Sequence, residues 1–232
     1  MTGFDMTDFR WQAFEEHHLN RFFAHFNVDC VFDVGANRGQ YRSIIREQVG
    51  FRGPIISFEP IPWLAARAIE IKELQNDDNW FIENAALDSE AGQGYFNVMN
   101  IDAFSSLKEP DHLEIGIFAE MNRVSSTISV KKETLLHYFT TYKERLGFTR
   151  PFLKMDTQGN DLAVFDSAGP CIEEFVGLQS ELSIKRIYKN TSYYHQAIAH
   201  YSNKGFVLSA LVPNNAGHFP DLVEIDCIMY RR

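Results

Sequence analysis

The stretch CVFDVGANRGQY, Cys30 to Tyr41, runs from a short apolar segment into two glycines four residues apart, Gly35 and Gly39. The apolar part has the length of a buried strand, and GQYRSIIREQVG, which follows, reads as a helix closed by Gly50. A strand that passes to a helix through glycine is the opening unit of an α/β sheet, and the chain goes on to repeat it. GPIISFEP is a second strand stopped by Pro60, WLAARAIEIKELQ is a helix of good formers, and NWFIENAAL is a third strand. Further along, PFLKMD and EFVGLQSEL are strands, each followed by a helix, DLAVFDSAG and SYYHQAIAHYSNKG. Alternation of this kind implies right-handed crossovers and a parallel sheet with helices on both faces. The tail departs from it: FVLSALVP and LVEIDCIMYRR follow one another around the loop NNAGHFPD with no helix between, which predicts an antiparallel hairpin at one sheet edge.

Two segments stand outside the rhythm. Residues 8–26, DFRWQAFEEHHLNRFFAHF, carry aromatics at helical spacing and predict an amphipathic leading helix. Segment 1–29 is therefore expected to be a helical element, a candidate lid or homodimer element, and 30–232 a single domain. Within that domain 92–130 is irregular: GQGYFNVMN and RVSSTISVK look like strands, and the stretch between them is expected to form surface loops or a cover over the site. KKETLLHYFTTYKERLG then reads as a helix with basic residues near its end.

Composition narrows the function classes. The chain has 232 residues, 45% hydrophobic and 14% aromatic with 20 phenylalanines, enough for one substantial core rich in large rings. No apolar run reaches the length of a membrane span, and the N-terminus MTGFDMTDFRWQAFEEHH is mixed and acidic, unlike a secretory signal. Three widely separated cysteines, Cys30, Cys171 and Cys227, match neither a disulfide framework nor a zinc site, so a reducing, cytoplasmic location is expected. A formal net charge of −9 disfavours a nucleic-acid partner.

In an open parallel sheet, ligands bind beyond the carboxyl ends of the strands. Those ends carry Asp33 and Gly35, then Glu59, then Asn84 and Ala85, then Asp156, then Glu181. Four carboxylates at consecutive strand ends exceed what packing asks for, since like charges repel. The Gly-x-x-x-Gly spacing lacks the tighter glycine fingerprint of dinucleotide binders and the Lys-Ser/Thr ending of a phosphate loop. Gly35 permits a backbone conformation closed to side chains, and Gly39 is expected to let the helix start pass close to a ligand. Asn37 tolerates left-handed geometry, and Asp33 is placed to hold a cationic or donor group. Glu59, 24 residues after Gly35, sits near the offset at which an acid grips ribose hydroxyls. Together these features favour nucleoside binding.

VFDVGANRGQY, ISFEP, NAALDSEAG, FLKMDTQGNDLAVFDSAG and LQSELSIKRIY occur in an order that resembles the FkbM family, class I S-adenosylmethionine-dependent methyltransferases. The resemblance runs from about Cys30 to Tyr230. It implies a Rossmann-like sheet of seven strands, the last antiparallel, and S-adenosylmethionine as cofactor with S-adenosylhomocysteine as product. It also implies that Asp33, Gly35, Asn37 and Gly39, with Tyr41, surround the cofactor's amino-acid part, that Glu59 holds the ribose, and that Asn84 and Ala85 lie beside the adenine. The acceptor it implies is a sugar hydroxyl of a glycan, glycolipid or glycosylated natural product. Where relatives often carry Asp-x-Glu-Gly-x-Glu, this chain has DTQGND, with Gln158 and Asp161. The lower charge weakens the case for a tight divalent-metal site, and the stretch is not a calcium loop.

For such a transfer the enzyme aligns a hydroxyl and takes its proton. Asp156 is the candidate base, and it equally suits orienting the acceptor or binding the cofactor's ammonium. Glu181 is the second candidate, expected to contact acceptor hydroxyls, and His195 the third. Lys154, sharing Asp156's facing, is placed to neutralise it or to touch the acceptor. Gln158, Tyr188 and Ser106 are further acceptor-side candidates, with Ser105 and Ser125 weaker ones. Tyr193 and Tyr194 are read as packing rings, and His17, His18 and His25 as solvated or lid residues. Two other classes stand beside this reading: a nicotinamide-dependent oxidoreductase on a similar sheet, and a non-catalytic nucleoside or glycan binder. A non-sugar small molecule is the alternative acceptor.

Overall fold

The computed structural model describes residues 6–214 and 220–232; most of the NNAGHFPD loop and the first five residues lie outside the described residues. In chain order the elements are α1 (Met6–Phe26), β1 (Cys30–Val34), α2 (Gln40–Glu47), β2 (Ile55–Phe58), α3 (Pro62–Gln75), β3 (Trp80–Glu83), β4 (Ala86–Leu87), β5 (Gly92–Met99) and β6 (Val124–Glu133). They continue with α4 (Leu135–Leu146), β7 (Pro151–Met155), α5 (Asp161–Ser167), β8 (Gly177–Ser183), α6 (Tyr194–Asn203), β9 (Phe206–Asn214) and β10 (Glu224–Arg231). Short 3₁₀ turns occupy Asp102–Phe104 and Gly169–Glu174.

The main sheet has seven strands in the order β3-β2-β1-β7-β8-β10-β9. The first five are parallel, and β10 runs antiparallel to both β8 and β9. This is the expected mostly parallel sheet with an antiparallel C-terminal edge. Strand order reverses between β1 and β7, which sets the crevice beyond their carboxyl ends.

Side chains alternate across the strands, and the two faces collect different cores. Val31, Ile55, Phe152 and Ile228 face Leu19, Phe22 and Phe23 of α1 and Ile45 of α2. Phe32, Ile56, Leu153 and Cys227 face α4, α5 and α6, where Phe32 is ringed by Phe58, Phe139, Phe148 and Phe175. Each buried ring contributes roughly 1.5–3 kcal/mol of burial free energy, which is how the abundant phenylalanine acts. The three cysteines are free and buried.

One boundary differs from the sequence reading. NWFIENAAL is not a single strand: β3 ends at Glu83, and Ala86–Leu87 joins a separate sheet in the order β4-β6-β5. Asn84 makes the break, since its side-chain amide donates to the carbonyls of Glu59 (2.8 Å) and Pro60 (3.1 Å) and turns the chain across the end of β2. The irregular 92–130 segment thus supplies an antiparallel hairpin, β5–β6, with a loop that folds back over the tips of the main strands.

Candidate active site

The glycines of the opening stretch are explained by the protein itself. Gly35 and Gly39 have φ of 81° and 89°, which disfavours any side chain. A Cβ on Gly35 would fall 1.8 Å from the Asp156 carbonyl oxygen, and one on Gly39 2.5 Å from the Trp80 ring. At Gly39 a close approach is already made by Trp80, on the side where a side chain would stand. The turn is tied down where the N–H groups of Gly35 and Ala36 donate to the Phe58 carbonyl (3.1 and 3.0 Å).

Beyond the strand tips lies a cleft of about 520 Å³, walled by Gly35 and Asn37 of the turn, Glu59 to Ile61 after β2, Ala85 to Leu87, Phe96, and Asp156 to Gln158 after β7. The loop between β5 and β6 closes it with Asp102, Ala103, Ser105 and Leu107. Asp102 is fastened to the turn by an ion pair with Arg38 and by the Asn37 side-chain amide (3.5 Å). Glu59, 4% exposed, is held rigidly: Oε2 accepts from the Asn37 N–H and Oε1 from the Ile61 N–H, both at 2.8 Å. Burial outweighs those two amides and pushes its carboxyl up to about 7. Each oxygen keeps a free lone pair, so a diol entering the cleft would meet two acceptors side by side.

A second crevice, about 720 Å³, adjoins the first at Gly35, Asn37, Ala103 and Asp156. It opens on the α1/α2 side of the sheet rim and is walled by Glu15, Tyr41, Lys154, Gln179 and Asp226. A polar chain crosses the sheet beneath it. Trp80 Nε1 donates to Ser57 Oγ (2.9 Å), Ser57 Oγ donates to Asp33 Oδ2 (3.0 Å), and Lys154 Nζ pairs with Asp33 Oδ1 (3.2 Å) and Asp156 Oδ2 (3.6 Å). Asp33 is completely buried and borders neither crevice. Its expected contact with a ligand is thus corrected: it holds Lys154, and Lys154 meets Asp156. Burial opposes the Lys154 charge, yet Asp33 and Asp156 outweigh that and keep it an ammonium.

Gln158, in a left-handed conformation (φ 53°), links the two candidate catalytic acids. Its Nε2 donates to Asp156 Oδ1 (3.1 Å) and Glu181 Oε2 (2.7 Å), and its Oε1 accepts from Tyr188 O–H (2.8 Å). Both amide hydrogens of Gln158 are thus used within the protein, and the single Tyr188 hydroxyl hydrogen is shared between Gln158 Oε1 and the Phe104 carbonyl (2.6 Å). Glu181 Oε1 accepts from the Asn214 amide (2.8 Å). Burial, then Glu224 and Asp156, push the Glu181 carboxyl strongly upward. Asp156, its side chain 39% exposed, is the acid that faces both crevices.

The remaining expected residues divide plainly. Ala85 lines the cleft, whereas the Asn84 side chain works on the end of β2. Tyr41 lines the second crevice with its hydroxyl on Gln179 Oε1 (3.2 Å). Ser106 is fully buried with its hydroxyl on the Gln158 carbonyl (2.7 Å), so it braces the loop and does not meet an acceptor. His195 is exposed on α6, stacked on Tyr193, and borders neither crevice. Glu15, Asp102, Gln179 and Asp226 were not singled out. Asp226 had a signal, a carboxylate at an inward position of the apolar run VEIDCIMY; Glu15 had none. Among the described residues no group of three or more His, Cys, Asp or Glu is placed to hold a metal ion.

Comparison with known proteins agrees with this architecture. The solved structure of the FkbM methyltransferase from Methylobacillus flagellatus KT superposes with a TM-score of 0.54 at 13% identity over 88% of this chain, which spans 44% of that one. Magnesium protoporphyrin IX methyltransferase from Synechocystis PCC 6803, solved with bound S-adenosylmethionine, gives 0.50 at 8% identity over all of this chain and 86% of the other. No curated protein matches. The Methyltransferase FkbM domain model matches residues 33–208, so the chain belongs to the FkbM family of S-adenosylmethionine-dependent methyltransferases.

Proposed function

We propose that the protein is an O-methyltransferase that methylates a hydroxyl of a sugar. The observation that carries the reading is Glu59, whose carboxylate is pinned by two backbone amides at the wall of a cleft that ends on Asp156. Ala85, Phe96 and Leu107 give that cleft an apolar end suited to adenine, Glu59 suits the ribose diol, and Gly35 and Asn37 suit the amino-acid end. When bound, S-adenosylmethionine supplies a methyl carbon that an acceptor oxygen attacks while the C–S electron pair leaves on sulfur. Asp156 takes the acceptor's proton, and Lys154 Nζ stands 3.6 Å from its Oδ2. Gln158 fixes Asp156 against Glu181, so the base has one orientation. The loop carrying Asp102 and Ala103 covers the junction and limits water there.

The test is incubation with methyl-labelled S-adenosylmethionine and a panel of sugars and non-sugar alcohols. Label recovered as a methyl ether on a sugar hydroxyl supports the reading; label on non-sugar acceptors alone, or on nitrogen, overturns it.

A further inference from the structure

A third crevice, about 440 Å³, opens on the α5/α6 side of the sheet rim. Asn160 lines both it and the cleft that holds Glu59, so the two adjoin. The carboxylates at that seam are closed to a ligand. Asp161 Oδ1 accepts from the Thr157 N–H (2.9 Å), and Oδ2 from the Ser180 hydroxyl (2.8 Å) and the Glu181 N–H (3.1 Å). Glu181 is taken by Gln158 and Asn214. Other polar groups of the lining are in the reverse state. The hydroxyls of Ser183, Thr191 and Ser192 and the side-chain amide of Asn190 bond no described residue, and Lys108 has no ion-pair partner among them. Ser183 is only 6% exposed, and Thr191 Oγ1 is shut off from solvent, so each carries an unmet hydrogen-bonding capacity that burial makes costly.

The segment that brings these groups is braced from both sides. The Lys189 N–H donates to the Glu109 carbonyl (2.8 Å), Arg186 pairs with Glu114 (2.8 Å), and the Tyr193 hydroxyl donates to the same carboxylate (2.5 Å). Residue 159 is glycine where the loop after β7 passes Thr191, since a Cβ there would fall 2.7 Å from Thr191 Oγ1. Resting on the reading of the protein as a sugar O-methyltransferase, we infer that this crevice is an acceptor subsite for a second, uncharged sugar unit, so that the acceptor is a disaccharide or longer glycan whose neighbouring unit is presented to Asp156. Hydroxyls and an amide both donate and accept, which matches the hydroxyls of a sugar. An anion fits less well, because Asp161 and Glu181 share the crevice with its single lysine. Leu162, Leu182 and Ala197 supply apolar surface for the C–H face of the ring.

The test uses the full chain with methyl-labelled S-adenosylmethionine and compares D-glucose, D-galactose and D-mannose with maltose, cellobiose, lactose and β-1,4-mannobiose, and cellobiose with its uronic-acid counterpart. At least one disaccharide is expected to exceed its monosaccharides about tenfold in kcat/KM, chiefly through KM. Thr191→Val and Ser183→Ala should each lower kcat/KM for that disaccharide about three- to tenfold and leave the monosaccharide rate and S-adenosylhomocysteine affinity within about twofold. Thr191→Val, at a part-exposed position, serves where Ser183→Ala fails to fold. Monosaccharides methylated as efficiently as disaccharides, a disaccharide preference that survives both variants, or variants that lower both substrates alike overturn the inference and leave the sugar reading standing. A preference for the uronic acid that Lys108→Met abolishes overturns the uncharged ligand in favour of an anion. Label on no sugar at all ends the sugar reading, and the inference with it.

Discussion

Glu59 shows how one side chain couples fold to ligand. Its carboxyl sits near 7 instead of 4.5 because burial outweighs the two amides that favour its charge. The native protein therefore prefers the protonated form: this group's contribution to stability is complete below about 4.5 and is lost as pH rises through about 7. A ribose diol donates to the ionised form, so its binding has the opposite dependence. S-adenosylhomocysteine affinity is expected to rise with pH through about 7, and Glu59→Gln should weaken it about 10–100-fold and flatten the profile, measured by calorimetry at several pH values. Affinity that is unchanged in the variant rejects the ribose contact. For Asp156 the expectation separates binding from chemistry: Asp156→Asn should leave S-adenosylhomocysteine affinity nearly intact and lower kcat about 10²–10⁴-fold in a labelled-methyl assay. A variant with undiminished kcat removes Asp156 as the base.

At the scale of elements, the β1–α2 turn is a joint between three strands, which the two glycines make feasible. Gly35→Ala puts a methyl into the backbone of the β7 exit, and Gly39→Ala puts one into Trp80. Either should cost more than the ~1–3 kcal/mol of a strained backbone residue, read by urea denaturation. A loss below ~1 kcal/mol in Gly35→Ala contradicts the contact. The other end of α2 is locked differently. Arg42 Nε and Arg46 Nε donate to Asp77 Oδ2 (2.8 and 3.0 Å), with all three side chains less than a tenth exposed. Burial raises the Asp77 carboxyl, but hydrogen bonds and charge from Arg46 and Arg42 outweigh it and hold it below the usual range. Its stabilisation is present above the ordinary aspartate range and lost as pH falls through the depressed value. Asp77→Ala should cost ~3–5 kcal/mol at neutral pH, since two guanidiniums lose their counter-charge, and much less in acid. The sequence displayed Gly35 and Gly39 openly, because glycine pairs mark turns; it gave no hint of Asp77, since the partners lie 31 and 35 residues away and meet only when α2 packs beside the α3–β3 loop.

For the whole molecule, the seven-stranded sheet presents its tips to one rim, where the turn after β1, the end of β2 and the exit of β7 border the cleft that holds Glu59. A ligand that binds only the native form stabilises it by RT ln(1 + [L]/Kd), about 2.7 kcal/mol at a hundredfold excess over Kd. For a chain of this length that is roughly 5–10 °C in Tm with S-adenosylhomocysteine, and no shift is expected with NAD, by differential scanning fluorimetry. A shift with NAD alone ends the nucleoside assignment of this cleft.

The periodicity of short apolar runs and helix-forming segments determined the layer architecture, because burial on both faces forces continuous apolar strands and amphipathic crossovers. The strand ends followed from it, and with them Glu59 and Asp156. Which way each acid points was decided only in three dimensions. Asp33 and Glu59 look alike as carboxylates at strand ends, yet Asp33 lies inside its strand, turned into the sheet toward Ser57 and Lys154, and Glu59 stands one residue past its strand, free to face the cleft. Likewise Ser106 and Tyr188 carry the hydroxyls of a binding site but are engaged by Gln158. Glu15 enters because a helix from the far end of the chain lies beside β8. Residue type fixes what a group can bond; only the packing of distant segments fixes whether that capacity is left open to a ligand.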